Sequence, residues 1–419
     1  MISRPLNNVS EICLNISPRK TQAMTSTDNS FPIPIDLVIE ILARLQAKNV
    51  GRCRCVSKLW ANILRRQDFT ELFLTKSLAR PQLLFACLMN DGGLSFFSSS
   101  HQPQNRNEIL TAIDTSYLTH VHMTYRVCGT INGLICLKGI RIFKGCMNPS
   151  SALVLCNPTT GESLPLPKMK TITRRKGIDV KSYFGYLPTK KQFKVLSMTL
   201  PVKGNSEGHQ VLTLRTDKKL SWRMIKCCVT HRPDRNWGIC INGVLYYTAV
   251  VIEESSLEVT VVVCFDFGSE KFSVLKVVET FKRTLPNTTT PVNYNGKLGL
   301  LMTEESNWVI NGISRYFELW VLEDAGKHEW SKRTCVLPPS WKTLIGNRIL
   351  YFVGMIGTDE IVLSYHPTMP HYVFYYNIDR DTVRVARIRG SMEGVKGNGC
   401  RIFLNHVENV ELIQNILVR

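Results

Sequence analysis

The chain has 419 residues, of which 44% are hydrophobic and 20% are charged. This length and composition are typical of a globular protein with two or three domains and exclude a wholly disordered chain. Lys and Arg outnumber Asp and Glu by 52 to 33, which gives a formal net charge of +19. Acidic proteins and nucleic acids are therefore the partners to consider, against the alternative of a basic surface that serves only solubility.

Several classes of protein are disfavoured by the distribution of apolar residues. No segment is long and apolar enough to predict a membrane span, and the polar residues 1–30 predict a flexible extension without a signal peptide. The 14 cysteines are scattered among apolar runs, which favours reduced core residues over a disulfide framework. The expected location is the nucleus and/or the cytoplasm.

Three short helices are predicted at the start of the ordered chain. Pro34 suits the first turn of a helix, because the amide hydrogen that proline lacks has no partner there. Leu37, Ile41 and Leu45 recur on one face of this first helix. A second helix follows, and Ser57 is placed to cap a third.

This helical stretch resembles the F-box of plant proteins. The resemblance rests on four segments in the order and spacing of that motif, namely 33–37, 40–42, 44–45 and 52–60. It implies that residues 31–73 form an F-box, which binds a Skp-type adaptor that in turn binds a cullin scaffold. The residues assigned to the adaptor interface, or to the small core behind it, are Pro34, Leu37, Ile41, Leu42, Leu45, Val50, Val56 and Trp60.

Three residues depart from the F-box pattern. Gln46 stands where proline usually ends the first helix, Cys53 replaces a larger aromatic residue, and Gly51 lies inside the second helix. Glycine in a helix costs about 1 kcal/mol relative to alanine. These departures predict a weaker adaptor contact. An F-box with degenerate adaptor binding and a plain N-terminal helical bundle are the alternatives.

From about residue 81 onward, short apolar runs alternate with turn residues, which predicts strands. The strands repeat in units of roughly fifty to sixty residues, each with a hairpin, a third strand, a tight polar turn and a fourth strand. Asn-Gly pairs occupy the same hairpin position in three units, where positive φ values are needed. The five units are 129–167, 183–226, 239–276, 292 to about 330, and 349–388, and a sixth is expected from 81–100 combined with 401–414.

The fold expected from this repeat is a small all-α module followed by an all-β propeller-like domain, residues 74–419, with about six four-stranded blades. The β region also resembles the F-box-associated domain of crucifer plants, which is loosely kelch-like. Matching segments run through nearly all of it, among them 184–186, 193–196, 220–223, 238–247, 264–266, 295–298, 318–322, 375–377 and 406–408. The two resemblances together imply a substrate receptor of an SCF-type cullin-RING ubiquitin ligase.

The sequence contains no motif of a catalytic or cofactor site. Nucleophile elbows, zinc-protease motifs and Gly-rich phosphate loops are all absent from it. His120 and His122 alternate on one strand but lack further ligands at zinc-like spacing, and Cys227 with Cys228 is assigned to packing. We therefore predict a non-catalytic subunit without cofactor or metal. A basic nucleic-acid-binding propeller is the principal alternative, and a kelch-like enzyme is a third reading that lacks its metal ligands.

The expected target-binding surface is the blade face that collects the long connections. Long loops on a rigid scaffold often bind partners, and large aromatic side chains in them are typical anchors. The prediction is an unknown target protein with an acidic or phosphorylated segment, held by basic side chains. The alternative is a solvated basic loop with the tryptophans folded onto the rim. The residues expected to bind the target are Trp237, Trp308, Trp341, Arg174, Arg175 and Lys176.

Overall fold

The computed structural model describes residues 33–100, 109–111, 113–118, 125–141, 150–169, 179–201, 204–214, 219–234, 238–252, 258–275, 289–304, 309–365, 372–389 and 395–418. Its helices are α1 (Ile35–Leu42), α2 (Ala47–Arg54), α3 (Lys58–Ile63), α4 (Gln67–Leu78), α5 (Trp341–Ile345) and α6 (Ile413–Val418). Within these ranges no helix is both long and apolar enough to cross a lipid bilayer.

Helices α1 to α4 enclose one small core and are called the helical domain here. The three predicted helices are present, and the hydroxyl of Ser57 accepts a hydrogen bond of 3.2 Å from the amide of Trp60, as expected for a cap. Pro34 directly precedes α1 and does not lie in its first turn. The sequence did not predict α4, which supplies the buried rings of Phe69 and Phe73 to the core.

The β domain contains strands that are mostly antiparallel neighbours along the chain. In chain order they are β1 (Gln82–Met89), β2 (Leu94–Ser100), β3 (Ile109–Thr111), β4 (Ile113–Leu118), β5 (Tyr125–Ile131), β6 (Leu134–Arg141), β7 (Ser150–Asn157), β8 (Glu162–Pro165), β9 (Asp179–Leu187), β10 (Gln192–Leu200), β11 (Glu207–Thr213), β12 (Arg223–Met224), β13 (Arg232–Pro233), β14 (Ile239–Ile241), β15 (Val244–Ile252), β16 (Glu258–Asp266), β17 (Lys271–Leu275), β18 (Thr289–Tyr294), β19 (Lys297–Thr303), β20 (Ile310–Asn311), β21 (Tyr316–Asp324), β22 (Glu329–Val336), β23 (Ile349–Ile356), β24 (Glu360–Ser364), β25 (Tyr372–Asn377), β26 (Thr382–Arg389) and β27 (Val395–His406).

These strands form six sheets, which are the blades of a propeller. Blade 1 contains β27, β1, β2 and β4; blade 2, β5–β8; blade 3, β9–β12; blade 4, β13–β17; blade 5, β18, β19, β21 and β22; and blade 6, β23–β26 with β20 and β3 at its edges. The prediction of a helical module followed by about six blades is confirmed. Most of the buried apolar clusters of this domain lie between neighbouring blades.

Both ends of the β domain meet in blade 1, as the sequence predicted. Strand β27 pairs antiparallel with β1, so that Phe85 lies opposite Ile402. The last strand ends at His406, however, and the chain beyond it leaves the sheet. Only β27 therefore comes from the C-terminal end, and residues 407–412, called the C-terminal segment, serve another purpose.

Two kinds of short turn recur on one face of the propeller. Asn132, Asn242 and Asn295 each have φ of 50° and precede glycines with positive φ, which confirms the predicted hairpins. The turn between the third and fourth strands starts with Asn or Asp in blades 2, 4, 5 and 6. In blade 4 the carboxylate of Asp266 accepts hydrogen bonds from the amides two and three residues further on. This face is called the turn face, and the opposite one the loop face.

The expectation that every cysteine is reduced is wrong for one pair. Cys87 and Cys400 form a disulfide, because the register of β1 and β27 places them directly opposite each other. Other buried thiols are free, among them Cys156, whose pKa burial raises to about 12. The thiol of Cys156 therefore stays protonated and packs as a small apolar group.

Candidate adaptor- and target-binding surfaces

Helix α1 separates its apolar residues into a buried and an exposed set. Val38, Ile39 and Leu42 are buried in the helical domain, whereas Leu37 and Ile41 are 54% and 55% exposed. Residues four positions apart share one face of a helix, so Leu37 and Ile41 form an apolar stripe toward solvent. Such a stripe beside a well-packed core is typical of a binding surface.

The other residues predicted for the adaptor interface divide in the same way. Val50 is fully buried, and Leu45 and Trp60 are half-buried against the same core. Pro34 is exposed, and Val56 is 68% exposed between α2 and α3. The predicted set therefore mixes core residues with surface residues.

Three exposed apolar residues were missed by the sequence prediction. Ile33, Ile35 and Leu59 are 45%, 39% and 44% exposed. Ile33 and Ile35 flank Pro34 at the start of α1, outside the periodic pattern that identified the helix. The missed signal for these two residues was the clustering of apolar residues at the start of a helix whose core face is already complete.

A guanidinium group binds the connection between α1 and α2. Arg80 donates hydrogen bonds of 2.6 Å to the carbonyl of Arg44 and 2.7 Å to that of Leu45. Both carbonyls lie beyond Leu42, the last residue of α1, in the connection that contains Gln46. Arg80 therefore stabilises the connection in which Gln46 stands in place of proline.

The two other departures from the pattern are accommodated by the helical domain. Gly51 lies inside α2, where an added Cβ would meet no atom within 4 Å. Cys53 is half-buried and packs against the core.

The C-terminal segment attaches the helical domain to the propeller. Val410 is buried in the core of the helical domain. The amide of Glu408 donates to the hydroxyl of Ser77 (2.7 Å), and its carboxylate accepts from the amide of Ala47 (3.2 Å). Arg54 donates to the carbonyl of Val410 (2.8 Å). The end of the chain is therefore part of the helical domain's packing.

The other side of the C-terminal segment is held by turns of blade 2. The side-chain amide of Asn157 donates to the carbonyls of Asn409 (2.9 Å) and Glu411 (3.0 Å). Asn409 in turn donates to the carbonyl of Asn132 (2.9 Å). Gly133 leaves space for this contact, since a Cβ there would lie 2.6 Å from Asn409. The helical domain consequently sits on the turn face.

Basic side chains gather at the loop-face ends of blades 2 and 3. Arg126 lies 3.2 Å from the carboxylate of Asp179, which also pairs with the buried ammonium of Lys138. Burial acts to raise the pKa of Asp179, but the hydrogen bond from Lys138 and nearby charges bring it below its usual value. The ammonium of Lys181 lies 5.3 Å from the ring of Tyr183, and burial lowers the pKa of Lys181 to about 8.

The innermost strands surround a central cavity of about 480 Å³. Its lining includes the hydroxyls of Thr130 and Ser364 and one cationic side chain, Arg401. Burial lowers the pKa of Arg401, and the positive charge of Arg126 lowers it further, so the two guanidinium groups act on each other. Among the described lining residues there is no Asp or Glu. The potential of the cavity therefore favours anions.

Of the residues predicted to bind a target, only Trp341 lies within the described ranges, and it is buried. Trp341 begins α5, is 2% exposed, and donates a hydrogen bond of 2.6 Å from its indole to the carbonyl of Asn311. It cannot act as an exposed anchor, because its ring fills the core between blades 5 and 6. The predicted residues that lie outside the described ranges are Trp237, Trp308, Arg174, Arg175, Lys176, His120 and His122.

One group of metal-ligating side chains occurs within the described ranges. His209, Cys227 and His231 place one ligand atom each within 4.8 Å of the others. From the sequence, Cys227 was expected to be a packing residue. Its spacing from His231 was the signal that could have identified the group.

Comparison with known proteins agrees with this architecture. Residues 82–407 match the family model described as F-box associated beta propeller domain, and residues 32–72 match the F-box domain. F-box protein DOR of Arabidopsis thaliana is 46% identical over 402 residues, which cover 95% of this chain and 98% of that protein. F-box protein At5g65850 of the same plant is 47% identical over 414 residues, or 98% of each chain.

Similarity to solved structures is weaker. An α-L-arabinanase of Penicillium chrysogenum aligns with 67% of this chain and 92% of its own, at 10% identity and a TM-score of 0.40, which supports no argument about function. The two family models together cover both parts of the chain, and the relatives match along nearly its whole length. The chain therefore belongs to the plant F-box proteins that carry an F-box-associated β-propeller domain.

Proposed function

We propose that this protein is a substrate receptor of an SCF-type cullin-RING ubiquitin ligase. The F-box binds a Skp-type adaptor, which binds the cullin scaffold, and the propeller holds a target protein while other subunits transfer ubiquitin. The observation that carries this proposal is the set of exposed apolar side chains on a complete F-box core. The receptor itself supplies no catalytic residue, and we expect it to act in the nucleus and/or the cytoplasm.

The exposed apolar side chains supply binding energy when a partner covers them. Leu37, Ile41 and Val56 are each more than half exposed. Full burial of an aliphatic side chain contributes roughly 1.5–3 kcal/mol, so covering the exposed part of each contributes about 1 kcal/mol or more. Ile33, Ile35 and Leu59 are further exposed apolar residues of the helical domain. Covering these side chains with a partner is therefore favoured over leaving them exposed to water.

The position of the F-box supports simultaneous binding of two partners. It is fixed to the turn face by the C-terminal segment, and its contacts reach Lys191 in a turn of blade 3, whose ammonium is 3.1 Å from Glu71. The loop face lies at the opposite ends of the same strands. An adaptor on the F-box would therefore leave the loop face open to a target.

We further propose that the target presents an acidic or phosphorylated segment to the loop face. The supporting observations are Arg126 and Lys181 at the start of β5 and β9, with Arg401 further inside the cavity. Asp179 contributes one negative charge beside the two cations Arg126 and Lys138. Guanidinium and ammonium groups suit carboxylate or phosphate ligands.

The adaptor contact is tested best with point substitutions. Deletion of the F-box would expose Val410 and the rest of the C-terminal segment, whereas the double variant Leu37→Asp and Ile41→Asp changes only solvent-facing side chains. We expect this variant to remain folded and to lose a co-expressed Skp-type adaptor in pull-down experiments. Ile313→Asp is the matched control, because Ile313 is an apolar residue that is 74% exposed on the propeller.

The outcome of that comparison separates the alternatives. Retention of the adaptor by the double variant at the wild-type level would contradict the proposal. Failure of the wild-type chain to bind the adaptor would favour degenerate adaptor binding. The net charge of +19 keeps nucleic acid as the second candidate, which predicts retention on single- or double-stranded nucleic acid that falls steeply with salt.

A further inference from the structure

Three side chains that can ligate metals meet beside the connection between blades 3 and 4. His209 lies on β11, while Cys227 and His231 lie on the chain between β12 and β13. His209 is 6% exposed, His231 is fully buried, and Cys227 is half-buried. One ligand atom from each residue lies within 4.8 Å of the other two. The group belongs to neither of the binding surfaces described above.

Neighbouring hydroxyl groups hold both imidazole rings. The hydroxyl of Tyr247 lies 2.8 Å from Nε2 of His231, and that of Ser206 lies 3.2 Å from Nε2 of His209. With Nε2 of His231 engaged, its Nδ1 faces the sulfur of Cys227 at 4.0 Å. Metal-binding histidines are usually oriented by such a hydrogen bond on the second ring nitrogen.

A backbone carbonyl turns the thiol and one imidazole toward the same point. The carbonyl of Val229 accepts from Sγ of Cys227 (3.2 Å) and from Nδ1 of His231 (2.8 Å). The two hydrogen atoms therefore converge between these side chains. This arrangement satisfies both donors by itself, so a metal has to replace two hydrogen bonds with two coordinate bonds.

We propose that His209, Cys227 and His231 bind one Zn²⁺ ion, with the fourth coordination position open to water. Thiolate and imidazole ligands together select Zn²⁺ over Mg²⁺ or Ca²⁺, which prefer oxygen. Tetrahedral Zn²⁺ with bonds of about 2.0–2.3 Å holds its ligand atoms about 3.4–3.6 Å apart, so the three atoms approach one another by roughly 1 Å on binding.

The proton balance of this step is simple. Cys227 forms the Zn–S bond and releases its thiol proton to solvent. The proton of His231 moves from Nδ1 to Nε2, where it is donated to the oxygen of Tyr247. Binding thus takes up one Zn²⁺ and releases one proton per chain, which makes the affinity rise with pH.

The position of the group indicates a structural role. No strand is formed between Ile225 and Arg232, and this connection is joined to blade 3 by few backbone hydrogen bonds. These include the amide of Ile225 to the carbonyl of His209 (3.0 Å) and the amide of Ser206 to the carbonyl of His231 (2.8 Å). A metal bound to both sides would fix the connection to β11 and rigidify the boundary between two blades.

The experiment measures metal binding by the full-length chain after chelator treatment and dialysis against Zn²⁺. We expect one Zn²⁺ per wild-type chain, and loss of stoichiometric binding in Cys227→Ala and His209→Ala. Cys228→Ala is the matched control, because Cys228 is the adjacent but exposed cysteine, and it should bind like the wild type. Tyr247→Phe should weaken binding by about 10–100-fold, the usual effect of losing an orienting hydrogen bond.

Co²⁺ replaces Zn²⁺ as a spectroscopic probe for thiolate ligation. The wild-type chain loaded with Co²⁺ should show a sulfur-to-metal charge-transfer band, which Cys227→Ala should lack and Cys228→Ala should keep. A folded wild-type chain that binds no stoichiometric Zn²⁺ would overturn the proposal. So would metal binding that is unchanged in Cys227→Ala, or a thiolate band that disappears in Cys228→Ala.

Discussion

The two faces of the propeller are formed by opposite ends of the same strands but differ in their contacts and charge. The turn face carries short turns closed by Asn and Asp side chains, and the F-box is packed on it through the C-terminal segment. The loop face carries the basic residues Arg126 and Lys181 and lies opposite the face on which the described F-box helices pack. The scaffold thus separates a rigid attachment from a surface that can vary with the target.

The contrast extends to how much each face depends on distant parts of the chain. On the turn face, Arg54 contacts Val410, which is 356 positions away, and Asn157 contacts Asn409, 252 positions away. On the loop face, the network around Asp179 joins only neighbouring blades. A substitution on the turn face is therefore expected to destabilise the F-box and the C-terminal segment together. A substitution on the loop face should affect only its immediate neighbours.

The largest expected effect comes from removing a ring from the F-box core. Phe73 is fully buried and packs 6.0 Å from the ring centre of Phe69. Phe73→Ala should lower the free energy of unfolding of the F-box by about 3–5 kcal/mol. Denaturant titration followed by helical circular dichroism should show early loss of helix, with adaptor binding lost at the same concentration.

The matched control for Phe73→Ala is Leu37→Ala, because Leu37 is 54% exposed on the same domain. It should change the free energy of unfolding by less than about 1 kcal/mol while still weakening adaptor binding. If both variants unfold alike, the division of the F-box into a core and a binding face is wrong.

Acid should weaken the turn face through a buried histidine. His406 ends β27 and is 6% exposed, and burial lowers its pKa to about 4 from the usual 6.5. Below pH 6.5, His406 therefore binds a proton in the unfolded chain, whereas in the folded chain it binds one only near pH 4. The contribution of neutral His406 to the free energy of unfolding is therefore fully present above pH 6.5. It falls by about 3 kcal/mol as the pH drops from 6.5 to about 4.

The variant His406→Gln removes this contribution without adding a charge. We expect urea titrations from pH 7 to pH 5 to show a smaller decline in unfolding free energy for the variant than for the wild type. His209 and His231 also have lowered pKa values and contribute to the decline in both proteins. The difference between the two slopes is thus the informative quantity, and equal slopes would contradict the assignment to His406.

A smaller effect is expected from releasing the C-terminal segment. Asn157 is 1% exposed, and Asn157→Ala leaves the carbonyls of Asn409 and Glu411 without its side-chain amide. The cost should be about 1–3 kcal/mol. Limited proteolysis should cleave the C-terminal segment sooner than in the wild type.

The control for Asn157→Ala is the corresponding turn residue of blade 6. Asn377 accepts hydrogen bonds from the amides of Asp379 and Arg380 in the same kind of turn, but its amide donates to Asp359 and not to the C-terminal segment. Asn377→Ala should lower stability without exposing the C-terminal segment to protease. Equal protease sensitivity in the two variants would show that turn strength alone matters.

The sequence was sufficient for features that depend on neighbouring residues. The periodic apolar positions of α1, the cap at Ser57 and the Asn-Gly hairpins are local, and the repeat of these hairpins revealed the six blades. Closure of blade 1 by both chain ends followed from the two strand-like stretches that no unit used. Propensity and periodicity contain this information because neighbouring residues alone determine it.

The features that were missed depend on distant contacts. Arg80 binds the connection after α1 across 35 to 37 positions, and the C-terminal segment contacts both domains. Trp341 was expected to be exposed because it lies in a long connection, but it is buried in the five-residue helix α5. So short a helix has little stability alone and forms only with its tertiary contacts, which no local pattern shows.

The smallest effect on stability, and the one that tests the loop face most directly, is expected from Arg126→Gln. Arg126 is 67% exposed and pairs with Asp179 at 3.2 Å, so its loss should change the free energy of unfolding by less than about 1 kcal/mol. Binding of a labelled phosphorylated acidic peptide should nevertheless weaken several-fold and depend less on salt, as measured by fluorescence anisotropy. Arg333→Gln is the matched control, because Arg333 is 43% exposed and pairs with Asp379, at 3.1 Å, in a turn of blade 6 on the turn face. Peptide binding that weakens equally in both variants would mean that the acidic ligand responds to net charge and not to the loop face.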